Sequence, residues 1–310
     1  MPNVQFGIDH PVITIRDLEV ARDQFKKLGF APNPVGFHPW GTTMSLLMFK
    51  ENFIELISVN DASKFGTNSV GGFCYGRNIG KFLERVEGLG LVAFHSKDAK
   101  ADHQALVDRG LVSQGQIDFR RDMKKPDGTP DVAVVSLGLF LNEEQRDVSN
   151  FICHQHRPEL IWVPGWMNHP NGADAITAVT YIADRPLELA PRYAAFYGDD
   201  RIVQSPDEVS VDTERGVICI ASPKQVEKMF EGVPLPDWKG DTAPHGIAIK
   251  VSTPRFDELE PLWAKNGVVW SRTSRGTLLI APENCGNVIM EFEPTYALSS
   301  IRLSAQHVGI

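Results

Sequence analysis

Nowhere in the sequence do about 18 apolar residues follow one another, so a membrane-spanning helix is not expected. Positive charge is also short. Thirty-one Lys and Arg face 39 Asp and Glu, a net charge of -8, which suits neither a nucleic-acid backbone nor an anionic membrane surface, since both attract basic patches. Cysteine is scarce and scattered: Cys74, Cys153, Cys219 and Cys285 form no CxxC pair, which argues against a zinc knuckle or a disulfide framework and for reduced thiols. The opening MPNVQFGIDHPVITI lacks the basic, apolar and small-residue order of an export signal, so a cytoplasmic location is expected. No GxGxxG follows a strand, which removes the usual sign of dinucleotide binding. The partners left are a small-molecule substrate and other protein subunits, a homodimer among them.

What the chain does contain is an ordinary globular mixture, 42% hydrophobic and 23% charged, over 310 residues. That length exceeds the usual reach of one hydrophobic core, so two domains or an internal repeat is expected.

A repeat is visible. GIDHPVITI reads as a strand; Asp17 then offers an N-cap oxygen, Leu18, Ala21, Phe25 and Leu28 recur at helical spacing, and Gly29 can take the left-handed stop. Extended stretches from Pro32 to Phe37, GTTMSLLMF and NFIELISV follow, the last two joined by a turn at Lys50 and Glu51. The same order returns at LGLVAFHSKDAK, where Asp98 and Gly110 stand as far apart as Asp17 and Gly29, with DVAVVSLGLF and NFICHQH after them. Third and fourth copies begin at ITAVTYIADRP, with Gly198 as the stop, and at HGIAIKVSTPRF, with Gly267. RNIGKFLERVEG carries Ile79, Phe82, Leu83 and Val86 at helical spacing and reads as a connector helix. Successive strands after each helix favour an antiparallel meander over a doubly wound parallel sheet. The expected fold is α+β, with four repeated βαβββ units and a boundary near Asn171 to Asp174.

Four such units, a His in the first strand (IDHPVIT) and a Glu in the fourth (FIEL) resemble the vicinal oxygen chelate superfamily of glyoxalases, bleomycin-resistance proteins and extradiol dioxygenases. Within it, HPWGTTMSLLMF, FICHQHRPELIW and HPNGA resemble the glyoxalase-like domain family. The likeness is close over residues 5 to about 173 and extends over 175–294 only as the unit pattern. It implies paired, strongly curved mixed β-sheets with helices outside, and metal ligands on the concave face from first and fourth strands. Residues 1–173 would hold the active site, and 174–310 a second pair of units that is degenerate or structural.

The resemblance implies His10 and Glu55 as metal ligands. The chemistry agrees, because imidazole and carboxylate suit Zn, Fe, Mn or Ni, and an open site needs about three protein ligands. His154 and His156 are the candidates for the third, since their i, i+2 spacing puts both on one face of a strand. The family pattern is incomplete. Laying Asp98 on Asp17 puts Leu91 at the position of His10 and His95 at that of Thr14, and laying NFICHQH on NFIEL puts Cys153 opposite Glu55. In the second half Glu291 takes the ligand position, but the first-strand equivalents fall near Val179 and Gly246, unlike the type I extradiol arrangement.

Glu55 is also the candidate catalytic carboxylate. Its neighbours Phe53, Ile54, Leu56 and Ile57 promise burial, which demands a metal, an Arg or a raised pKa. His38, Trp40, Thr42 and Thr43 are candidates for lining a substrate, beside the plainer reading of a turn at Pro39 and Gly41. His169 reads as part of a Pro-Asn-Gly turn. The leading expectation is a metal-dependent lyase or isomerase acting on a substrate with vicinal oxygens through an enediolate-like intermediate. A metal-free protein binding an aromatic or antibiotic-like ligand and an Fe(II) extradiol-type dioxygenase stand beside it.

Overall fold

The computed structural model describes residues 6–142 and 144–295. Four βαβββ units follow one another. The first is β1 (Ile8–Thr14), α1 (Leu18–Lys27), β2 (Gly36–Phe37), β3 (Thr42–Met48) and β4 (Phe53–Val59). A connector, α2 (Tyr75–Arg85), leads to β5 (Gly88–His95), α3 (Ala99–Asp108), β6 (Gly115–Lys124), β7 (Pro130–Phe140) and β8 (Asn150–Gln155). The third is β9 (Ala175–Ile182), α4 (Ala190–Tyr197), β10 (Ile202–Ser205), β11 (Glu208–Asp212) and β12 (Val217–Ala221). After α5 (Pro223–Met229) come β13 (His245–Thr253), α6 (Leu259–Asn266), β14 (Ser271–Arg272), β15 (Leu278–Ile280) and β16 (Ile289–Pro294).

Helix limits follow from local chemistry. Asp17 and Asp98 cap α1 and α3, their carboxylates accepting from the amides of Val20 and Ala101. Gly29, just past α1, has φ +88°, a conformation that costs a residue with a Cβ roughly 1 kcal/mol or more.

Within each unit the first and fourth strands pair in parallel: β1 with β4, β5 with β8, β9 with β12, and β13 with β16. Units then join through antiparallel first strands, β1 with β5 and β9 with β13. Each pair is a curved mixed sheet of eight strands, the first running β2-β3-β4-β1-β5-β8-β7-β6. The two sheets meet where Gly246 pairs with Leu89. Central strands are covered on both faces, so all seven residues of β1 are buried, the polar Asp9, His10 and Thr14 with them.

The strands β6, β10 and β14 are additions to the sequence reading. In β6, Ile117, Phe119, Arg121 and Met123 alternate with Asp118, Arg120, Asp122 and Lys124, and this charge masks an otherwise regular two-residue period.

One large core cluster sits behind the first sheet and joins the halves: Phe25, Leu28 and Phe94 belong to it with Tyr193, Phe196, Trp263 and Phe292. A second lies inside the curve of the first sheet, formed by Val12, Trp40, Met44, Leu46, Phe119 and their neighbours. All four cysteines are free and buried, and among the described residues no helix is long and apolar enough to cross a membrane.

Candidate functional site

The curve of the first sheet lines a small, partly open cavity, and strand alternation decides which side chains reach it. His10 comes from β1, Glu55 from β4, Arg121 from β6, and Phe151, Cys153 and Gln155 from β8. The loop ahead of β3 adds His38 and Trp40, and the start of α2 adds Tyr75.

His10 owes its orientation to an irregularity in β1. Ile8 pairs with Phe94 and His10 with Ala93, so Asp9 is an extra residue in the ladder. Its carboxylate, fully buried, lies 2.6 Å from His10 Nδ1 and 3.1 Å from His95 Nδ1. Burial alone pushes Asp9 upward in pKa, but hydrogen bonds from the two imidazoles outweigh this and hold it below the usual carboxylate range. With Nδ1 held by Asp9, Nε2 of His10 faces Glu55, and the ring stacks on Phe53 at 4.3 Å.

Glu55 lies between two imidazoles. His10 Nε2 is 3.6 Å from Oε2, and His38 Nε2 is 3.8 Å from Oε1. His38 is aimed by Thr42, whose Oγ1 is 3.0 Å from Nδ1, and by stacking on Trp40. Burial raises the pKa of Glu55, opposed in part by the charges of His10 and Arg121. Burial also lowers that of His38, helped by Arg121 and His10, which leaves a neutral imidazole. The Tyr75 phenol and the Cys153 thiol are both pushed well up by burial, with Glu55 adding to each, and stay protonated.

His10, His38 and Glu55 offer donor types that a divalent transition metal takes, while among the described residues the group whose ligand atoms all lie within 4.8 Å of one another is Asp9, His10 and Cys153. Two ligand atoms bound at about 2.1 Å in a tetrahedral site stand about 3.4 Å apart, close to the separations seen from His10 and His38 to Glu55. Asp9 supplies the outer carboxylate that commonly fixes a ligating histidine.

The other expected ligands stand elsewhere. His154 lies on the face of β8 opposite Cys153, and His156 lies just past the strand end. Their rings contact each other at 3.9 Å in an outer groove with His95 and Lys97, and His156 Nε2 is 2.8 Å from Ser136 Oγ. The reason is alternation: a shared face for positions 154 and 156 is the face that Cys153 does not use. On β5 the residues clustered inside the curve are Leu91 and Ala93, which cannot ligate. Of the four substrate-lining candidates, His38 and Trp40 reach the cavity. Thr42 acts through His38, whereas Thr43 points away and donates to Gly36 O. His169 is buried outside the cavity, accepting from the Ala31 amide at Nδ1 and donating to Met48 O from Nε2.

Sequence reading did not single out Asp9 or Arg121. The Asp-His dipeptide and the apolar alternation around Arg121 were the available signals. In the second half, Glu291 accepts from Thr277 Oγ1 at 2.8 Å and Arg275 at 3.3 Å, with Lys250 at 3.4 Å. Protein cations already occupy that carboxylate.

The glyoxalase-like domain family matches residues 8–197. The chain belongs to this family. The match runs from β1 into α4, past the boundary between the second and third units. No curated protein matches the chain by sequence. Among solved structures, a hypothetical protein from Staphylococcus aureus superposes with TM-score 0.65 at 12% identity, covering 93% of this chain and 99% of its own. A mutant 4-hydroxymandelate synthase from Streptomyces coelicolor gives 0.56 at 11%, with 94% and 93% covered. A Mn(II)-bound glyoxalase from Novosphingobium aromaticivorans gives 0.52 at 7%, with 94% and 82% covered. At such identities these likenesses concern the fold, that of the vicinal oxygen chelate superfamily.

Proposed function

We propose that this glyoxalase-like protein is an enzyme of the lyase or isomerase type, acting on a small substrate with vicinal oxygens, with His10, His38 and Glu55 holding a divalent metal. The observation that carries the reading is the pair of imidazole Nε2 atoms set within 4 Å of the two oxygens of one buried carboxylate, inside an otherwise largely apolar cavity. A metal bound there would supply Lewis-acid polarisation of a substrate oxygen. The chain's own groups do the rest. A Glu55 carboxylate displaced from the metal is placed to take a proton from the carbon beside the carbonyl, leaving an enediolate, and to return it to the neighbouring carbon. Asp9 holds the tautomer of His10, and Trp40, Phe53 and Phe151 keep water from the reacting carbons.

Two histidines and one carboxylate are also the donors of an Fe(II) oxygenase site, so an extradiol-type reaction is the second reading. Oxygen consumption with catechols separates the two.

The primary test is metal content by elemental mass spectrometry. Wild type should hold about one equivalent, with marked losses in His10→Ala, His38→Ala and Glu55→Ala and none in His154→Ala or His156→Ala. Full metal in His38→Ala would remove it from the ligand set. No metal in wild type after supplementation would leave the metal-free binding protein.

A further inference from the structure

Among the described residues, Arg121 differs from Arg85, Arg157 and Arg192. Arg85 and Arg157 pair with Asp147 and Asp131, and Arg192 is bonded to Phe140 O and Asn150 Oδ1. Arg121 lines the cavity, yet no carboxylate of the described residues lies within ion-pairing distance of it. Burial pulls its pKa below the usual guanidinium range, and the one charge that opposes this is Glu55, already flanked by two imidazoles. A cation held partly out of water without an anion loses hydration it does not recover, so such a group is expected to meet one when the site is filled.

Two further observations describe the surroundings of Arg121. The β2 backbone passes so close that a Cβ on Gly36 would lie 2.8 Å from Arg121 Nη1, so glycine there leaves room for the guanidinium. Trp40 Nε1, on another cavity-lining side chain, is buried with no acceptor among the described residues. The remaining wall is apolar, formed by Met44, Leu46, Phe119, Val135, Leu137 and Phe151.

We infer that the substrate carries an anionic group, a carboxylate in the simplest case, on an apolar body, and that Arg121 is the specificity residue that pairs with that anion. The inference rests on the proposed function, in that the vicinal oxygens face His10, His38 and Glu55 while the anion turns to Arg121.

The test uses the full chain and a matched pair of probes, 4-(hydroxyacetyl)benzoate and its methyl ester, which share an aromatic body and a hydroxy-ketone pair of vicinal oxygens but differ in charge at the far end of the ring. Binding is measured by calorimetry in metal-stripped and Mn(II)-loaded protein. Wild type should prefer the acid by about ten-fold or more in both forms, as expected for a charge-assisted pair. Arg121→Gln should bring acid and ester to near equality without weakening the ester. Arg121→Met, which keeps the apolar stem without the charge, should lower the preference too, and it carries the test should Arg121→Gln not fold. Equal binding of acid and ester by wild type, no saturable binding of the acid, or an acid preference that survives in folded Arg121→Gln overturns the inference. A preference that needs the metal and ignores Arg121 defeats this inference and leaves the chelate reading standing. A preference that needs Arg121 in a protein taking up no metal defeats the chelate reading alone.

Discussion

Asp9 shows how much of this site depends on one side chain outside the cavity. As an extra residue in β1 it has no ladder partner and instead holds two imidazoles, so Nε2 of His10 is presented to Glu55. Replacing it with Asn keeps the size but removes the charge that fixes the tautomer. Asp9→Asn should therefore weaken metal binding by about 10- to 100-fold, the usual effect of losing such a carboxylate, with the metal measured by competition against a chelator. His169 makes a different prediction. Burial lowers its pKa to about 4, although its bond to Met48 O favours the charged form. Because the folded value lies below the unfolded one, its stabilisation is complete above about pH 6.5 and is lost as pH falls toward 4. The shift corresponds to about 3 kcal/mol. Urea unfolding of His169→Gln should show a flatter dependence than wild type across that window; an unchanged slope would mean that His169 is not responsible.

At the scale of elements, the turn ahead of β3 positions His38 and Trp40. His38 N donates to Thr42 O, Gly41 N donates to His38 O, and Gly41 O accepts from the amides of Asn60 and Asp61. Gly41 has φ +80°, and a Cβ there would lie 2.0 Å from the carbonyl oxygen of Asp61, a backbone atom that cannot swing aside. Gly41→Ala should destabilise the protein by about 2 kcal/mol or more and weaken metal and ligand binding together, through displacement of His38. A variant with native melting temperature and native metal content would show that the loop can relax. Elements also explain what sequence reading missed. His154 and His156 do share a side of the chain, but which side of β8 faces the cavity depends on its register with β5, where His95 pairs with Cys153. A two-residue period says which residues agree with one another, not which face is inward.

For the whole molecule, the repeat and the core divide the chain differently. The sequence repeat breaks near residue 173, whereas the core behind the first sheet mixes residues of both halves. Trp263 of α6 donates to Leu28 O at the end of α1, Asn266 to Lys27 O, and Tyr197 of α4 to Phe6 O. Residues 1–173 expressed alone should therefore lack a cooperative thermal transition, and Trp263→Ala should cost the full chain about 3–5 kcal/mol. A sharp transition in the fragment would show that the first half closes its own core. What the sequence by itself determined is the four-unit order, because apolar periods and the Asp and Gly ends of α1 and α3 are local chemistry. It also marked His10, Glu55 and His38, through a polar residue in a buried run and a His-Pro-Trp-Gly turn. Only the tertiary structure brought these three together, exchanged His154 for Cys153 on the cavity wall, left Arg121 without an anion, and neutralised Glu291 with Arg275 and Lys250. Each of those depends on strand register and sheet curvature, which bring residues distant in sequence to within a few ångströms and which no local period encodes.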